Sequence, residues 1–172
     1  MAHRFSNAFP LVFVLLWSTG FIGARLGLPH AEPLTFLLIR YLAVLVCMAL
    51  LALATRAPWP PTAHARCHIG VAGLLMHGVY LGGVFIAISK GLPAGVASLV
   101  VGVQPLLTAV GAGWLLHETV LRRQWLGLVL GLLGVGLVVF GKIGSSFGLD
   151  ALWPAVAALM GITVGTLYQK RF

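Results

Sequence analysis

Arg40 is a full charge that the sequence places well inside a long apolar stretch. A cation at such a place costs about 2.5–3.5 kcal/mol on insertion scales, so it must face a cavity, a partner or, by stretching its stem, the interface. Two chemistries stay open: an anchor for an anionic substrate or coupling site, and a structural anchor that snorkels. His77 and Tyr80 stand three apart in another apolar stretch and share a helical face. A neutral imidazole there can bond a substrate or carry a proton. It can equally make a single helix–helix hydrogen bond. Trp17 and Ser18, with Thr19 beside them, either line a cavity or pack, the hydroxyls bonding their own helix carbonyls. Gln104 precedes Pro105 in a further apolar stretch. Pro105 removes a helix hydrogen bond and frees the carbonyl near Val101. A bilayer tolerates such a carbonyl where it faces protein or a wet cavity, and Gln104 can bond either the break or a substrate.

Other clusters offer less. Glu118, four residues before Arg122, reads as a loop salt bridge. His117-Glu118 lacks the later His that a zinc protease helix needs. His64, Cys67 and His68 have metal-like spacing, but with Arg66 among them and no second ligand pair they read as a solvated loop. No carboxylate pair or nucleophile–base pair lies at one depth, so neither an enzyme, a metal nor a cofactor is expected.

The elements that carry these residues follow from composition. Hydrophobic residues make up 60% of the 172 and charged residues 8%, against about 25% charge in a soluble domain. Mean hydropathy is +1.04. Disorder, collagen and a disulfide scaffold are excluded, the last because Cys47 and Cys67 are the only cysteines. The 11 Lys and Arg are scattered singly between apolar stretches, which fits positive loops rather than a nucleic-acid surface. A bilayer core takes about 20 apolar residues per helix. Spans are expected near 9–28, 33–54, 69–89, 93–116, 124–140 and 152–168, with an irregular Pro-rich connector over 56–66. The expected class is therefore an all-α membrane protein of about six transmembrane helices. With the N-terminus inside, Arg4, Arg56, Arg66, Arg122, Arg123, Lys170 and Arg171 face the cytoplasm and outnumber Arg25, Lys90 and Lys142 outside.

Placing Pro154 on Pro10 brings Val156 onto Val12, Leu159 onto Leu15 and Thr163 onto Thr19. Five spans separate the two starts, so the sixth helix begins on the opposite side from the first, which is the layout of an inverted repeat. Glycines four apart recur (Gly23/Gly27, Gly78/Gly82, Gly91/Gly95, Gly127/Gly131, Gly161/Gly165), and such spacing lets helices approach closely in lipid. Gly134 and Gly136 add to the fifth helix, which makes it a candidate packing or dimer face.

Several segments in order resemble the drug/metabolite transporter superfamily, EamA-like branch: WSTGFIGARLGL in the first span, PLTFLLIRYLAVLV in the second, AISKGLPAGVASLVVGVQPLLTAVGAGWLLHETV across the third and fourth, and RRQWLGLVLGLLGVGLVVFG in the fifth. The resemblance covers essentially the whole chain as the first half of such a protein. Members have ten spans in two inverted five-helix repeats, so it implies a first repeat over residues 1–141 and the opening helix of a second, incomplete one over 149–172. It implies a secondary transporter, or half of one, moving a small metabolite or amino acid-like compound by alternating access across a bacterial cytoplasmic (inner) membrane. The first, third, fourth and sixth spans would line the cavity, and Trp17, Ser18, Arg40, His77, Tyr80, Gln104 and Pro105 are the candidate pathway residues. The expected partners are the lipid bilayer, a small-molecule substrate and a second copy or the missing half. The alternative is a non-transporting membrane scaffold or interaction protein derived from a half-transporter.

Overall fold

The structure is a computed structural model that describes residues 8–115, 121–142 and 147–172. Among the described residues six helical rods follow one another: α1 (Ala8–Gly27), α2 (Pro33–Thr55), α3 (Ala63–Ser89), α4 (Ala94–Leu115), α5 (Arg122–Phe140) and α6 (Leu149–Arg171). Five of these are long and apolar enough to cross a membrane, and Leu11–Gly27 of α1 is a shorter apolar helix. The reading of Glu118 as a salt-bridge partner falls outside the described residues, as does Arg4.

Local signals set the ends. Pro33 opens α2 at a first-turn position, where its missing N–H costs nothing. Arg56 ends that helix in a left-handed conformation with φ 50°, its N–H turned back onto the carbonyls of Ala52 and Leu53. Thr62 caps α3 by accepting the N–H of Ala65 at 3.1 Å. This cap corrects the expected loop at His64, Cys67 and His68, for the helix has already begun at Ala63. Apolarity marks where a helix enters lipid, whereas the cap marks where it starts. The same distinction lengthens α6 at both ends, with Asp150 in its first turn and Lys170 and Arg171 in its last, where each charge suits the helix dipole.

α3 leaves through a Schellman motif. Gly91, at φ 93°, donates to the carbonyl of Ile88, and Leu92 donates to that of Ala87. Leu92 is thereby driven into the core. Pro93 then caps α4.

Two spans are not plain α-helices. The middle of α3, Leu74–Leu81, is π-helical, a wide-turn form that concentrates at functional positions. α4 runs as Ala94–Val101 and Gln104–Leu115, with Gly102 and Val103 between. Val103 donates back to Val100, and its own carbonyl accepts from Leu106 and Leu107. Pro105 therefore sits in the first turn of a new half-helix, where no N–H is needed.

α6 lies along α3 and α4 and is the inner helix of the bundle. Small residues permit this. A Cβ on Gly161 would stand 2.8 Å from Val79 Cγ1, and one on Gly83 would stand 2.6 Å from the Pro154 carbonyl oxygen. Ala151, Ala155 and Ala158 on the same helix have no exposed surface. α2 and α5 sit at the rim and leave nearly all of their apolar surface uncovered.

Candidate substrate pathway

α1 stands between two cavities. One, of about 780 Å³, opens between α1 and α4, and Trp17, Ser18, Phe21, Arg25, Gln104 and Pro105 are in its wall. The other, of about 340 Å³, opens among α1, α2 and α3, and Trp17, Arg40, His77, Tyr80 and Phe85 are in its wall. All seven residues singled out from the sequence thus border one or other cavity. Trp17 borders both, as do Phe13 and Phe21.

Each side chain is held by its element. The Trp17 indole stacks on Tyr80 at 6.1 Å between centroids, and Phe13 tilts against it at 5.3 Å. Tyr80 is buried, at 7% exposure, whereas Trp17 keeps 41%. His77 and Tyr80 do not share a plain α-helical face, because both fall in the π-helical segment, yet both border the second cavity. The Tyr41 hydroxyl donates to the His77 carbonyl at 2.6 Å and its ring meets the imidazole edge-on. α2 thus supports the wide turn of α3 through Tyr41, a residue the sequence reading passed over. Its only advance signal was position, one residue beyond Arg40.

The hydroxyls follow the quieter of their two readings. Ser18 Oγ donates to the Val14 carbonyl at 2.8 Å, and Thr19 Oγ1 donates to that of Leu16 at 2.6 Å. Gln104 Nε2 donates to Thr108 Oγ1 at 3.0 Å and to Thr166 Oγ1 of α6 at 3.2 Å. The amide therefore ties the restart of α4 to α6. No residue of α6 appears in either cavity wall, which corrects the expectation that the sixth span lines this space. It packs behind α3 and α4 instead, because its small-residue face fits there.

The walls carry positive charge. Arg25 borders the larger cavity and Arg40 the smaller. The described carboxylates, Glu32 and Asp150, stand at helix ends, and Asp150 meets Lys90 at 3.7 Å in an exposed pair that joins α6 to the end of α3. Such a pair adds little stability. Among the described residues no group of three His, Cys, Asp or Glu gathers as a metal site.

Residues 5–140 match the EamA-like transporter family. The chain belongs to that family. It is an integral membrane protein, and its relatives carry the names of transporters rather than enzymes. A protein of Salmonella typhimurium named as a probable amino-acid metabolite efflux pump is 26% identical over 94% of this chain and 52% of its own length. An uncharacterized inner membrane transporter of Escherichia coli, YedA, is 26% identical over 98% of this chain and 56% of its own. Transporter YdfC of Bacillus subtilis, also uncharacterized, is 27% identical over 91% and 51%. The chain spans about half the length of the curated relatives it matches. No solved structure matches it significantly.

Proposed function

We propose that this EamA-like chain carries one half of an alternating-access pathway for a small amphipathic metabolite with an anionic group. Residues 1–141 form the first repeat, 149–172 open the second, and the N-terminus is cytoplasmic in a bacterial inner membrane. The observation that carries the reading is the pair of cavities divided by Trp17. A stacked indole and phenol offer an apolar or aromatic seat, and Arg40 offers a cation with no carboxylate among the described residues of the same wall. The charge that pays to sit in the span then finds its counter-ion in the cargo. An amino-acid metabolite, the cargo in the name of the Salmonella relative, has this chemistry.

The break in α4 and the π-helical stretch of α3 support movement at this depth, because interrupted helices mark transport sites and can flex without losing a whole ladder. Rocking needs two repeats, so a second copy or a second half completes the pathway. The largely uncovered faces of α2 and α5 leave room for lipid and for such a partner.

The deciding experiment is a thermal-shift screen of the chain in detergent against amino acids and their acidic derivatives. A saturable shift with an anionic member, lost in Arg40→Gln, is expected. No shift across the panel would favour the membrane scaffold. Crosslinking in the same detergent tests the partner, and a strictly monomeric chain that transports would remove the need for one.

A further inference from the structure

We propose that His64 and His68 of α3 form a binding site for a transition-metal dication of the zinc type, and that Tyr168 of α6 is its positioning residue. The Thr62 cap starts α3 early enough to put the two histidines one helical turn apart. Their Nε2 atoms are 3.3 Å apart. Two imidazole nitrogens at zinc distance and tetrahedral angle stand about 3.4 Å apart, so the spacing suits one ion. The ring centroids lie 4.2 Å apart with planes 54° from parallel, and the exposed His64 ring turns to aim its lone pair at the metal.

The neighbouring groups prepare the ligand. His68 Nδ1 lies 2.5 Å from Tyr168 Oη. With Nε2 given to the metal, Nδ1 carries the proton and donates it to that oxygen, the support a metal-bound imidazole normally receives. Phe172 lies over the face of His68 at 4.3 Å, 16° from parallel, and fixes the plane of the ring. A cavity of about 570 Å³ beside the pair, reaching Thr62 and Gln169, leaves room for water at the remaining positions. The two imidazoles are donors that suit zinc, copper or nickel rather than magnesium or calcium. Cys67 is absent from the cavity wall.

The site spans two helices. Metal on His68 fixes the tautomer that bonds Tyr168, so occupancy ties α6 to α3 at this end of the bundle.

The test is calorimetric titration of Zn²⁺ into the tag-free chain in detergent, with Mg²⁺ as control. The expected result is one saturable Zn²⁺ site, reversed by EDTA, and a raised melting temperature with Zn²⁺. His64→Ala and His68→Ala should each abolish both. Cys67→Ser should keep both. Tyr168→Phe should bind about tenfold or more weakly, the usual cost of losing a second-layer partner. Because His64 is exposed, His64→Gln serves if an alanine variant misfolds. Unchanged Zn²⁺ affinity in the His64 and His68 variants, or no binding by folded wild type, overturns the site. Wild-type affinity in Tyr168→Phe overturns the positioning role.

Discussion

Trp17 and Tyr80 stack across the α1–α3 boundary, their ring planes 14° from parallel, and the indole, with Phe13 and Phe21, borders both cavities. The pair joins a half-exposed residue of α1 to a buried residue of α3. Substitutions on its two sides should therefore have different consequences.

Trp17→Ala should merge the cavities at small cost to the fold. The lost ring pair is worth about 0.5–1.5 kcal/mol, and the site can be refilled by lipid or detergent. Substrate-dependent thermal shift should fall at least tenfold in apparent affinity. Tyr80→Ala leaves a hole in a buried cluster and should cost roughly 3–5 kcal/mol, seen as unfolding at lower SDS fraction. Equal destabilisation by the two would contradict the burial pattern.

Gln104 joins α4 to α6 through Thr166. Hydrogen bonds between membrane helices average about 0.6 kcal/mol, with a maximum near 1.7. Gln104→Leu and Thr166→Val should each destabilise by an amount in that range. A double-mutant cycle should give a coupling of the same size. A coupling of zero would mean that the bond contributes nothing to helix association.

Glycine spacing and glycine contact differ, and this can be measured. A Cβ on Gly83 would meet Pro154 O at 2.6 Å and Ala158 N at 3.1 Å, both backbone atoms of α6 that cannot rotate away. Gly83→Ala should push α6 off α3 and destabilise by about 1–3 kcal/mol. Gly127 and Gly134 of α5 meet nothing within 4 Å. Alanine there should be neutral or stabilising by about 0.4–1 kcal/mol through the unfolded chain. Detergent unfolding of the three variants ranks them directly.

Arg40→Lys keeps the charge but loses the planar fork, and Arg40→Gln loses the charge. If Arg40 receives an anionic cargo, Lys should retain part of the ligand shift and Gln none, with the melting temperature of the unliganded protein little changed. If it snorkels as an anchor, Gln should alter insertion or stability and leave any ligand shift intact.

The six-helix plan, the span centres and the family were legible in the sequence because lipid imposes a length and a composition on each helix. Arg40, Pro105, Trp17 and Tyr80 were legible for the same reason, since a charge, a break or a clustered aromatic stands out against an apolar background. Tertiary packing decided what stands opposite each residue. Nothing in the spacing of Gly78 and Gly82 distinguished them from Gly83, yet only Gly83 has the backbone of α6 against it. The π-helical turn of α3 and the hydrogen bond it receives from Tyr41 were equally hidden, because nothing in the composition of LLMHGVYL signals either. So was the place of α6, which a repeat argument puts at the cavity and which its alanine and glycine face sends behind α3 and α4. In lipid every helix is apolar all round, so periodicity carries little direction. Close contact between small residues, visible only when the helices are together, chooses which face meets which.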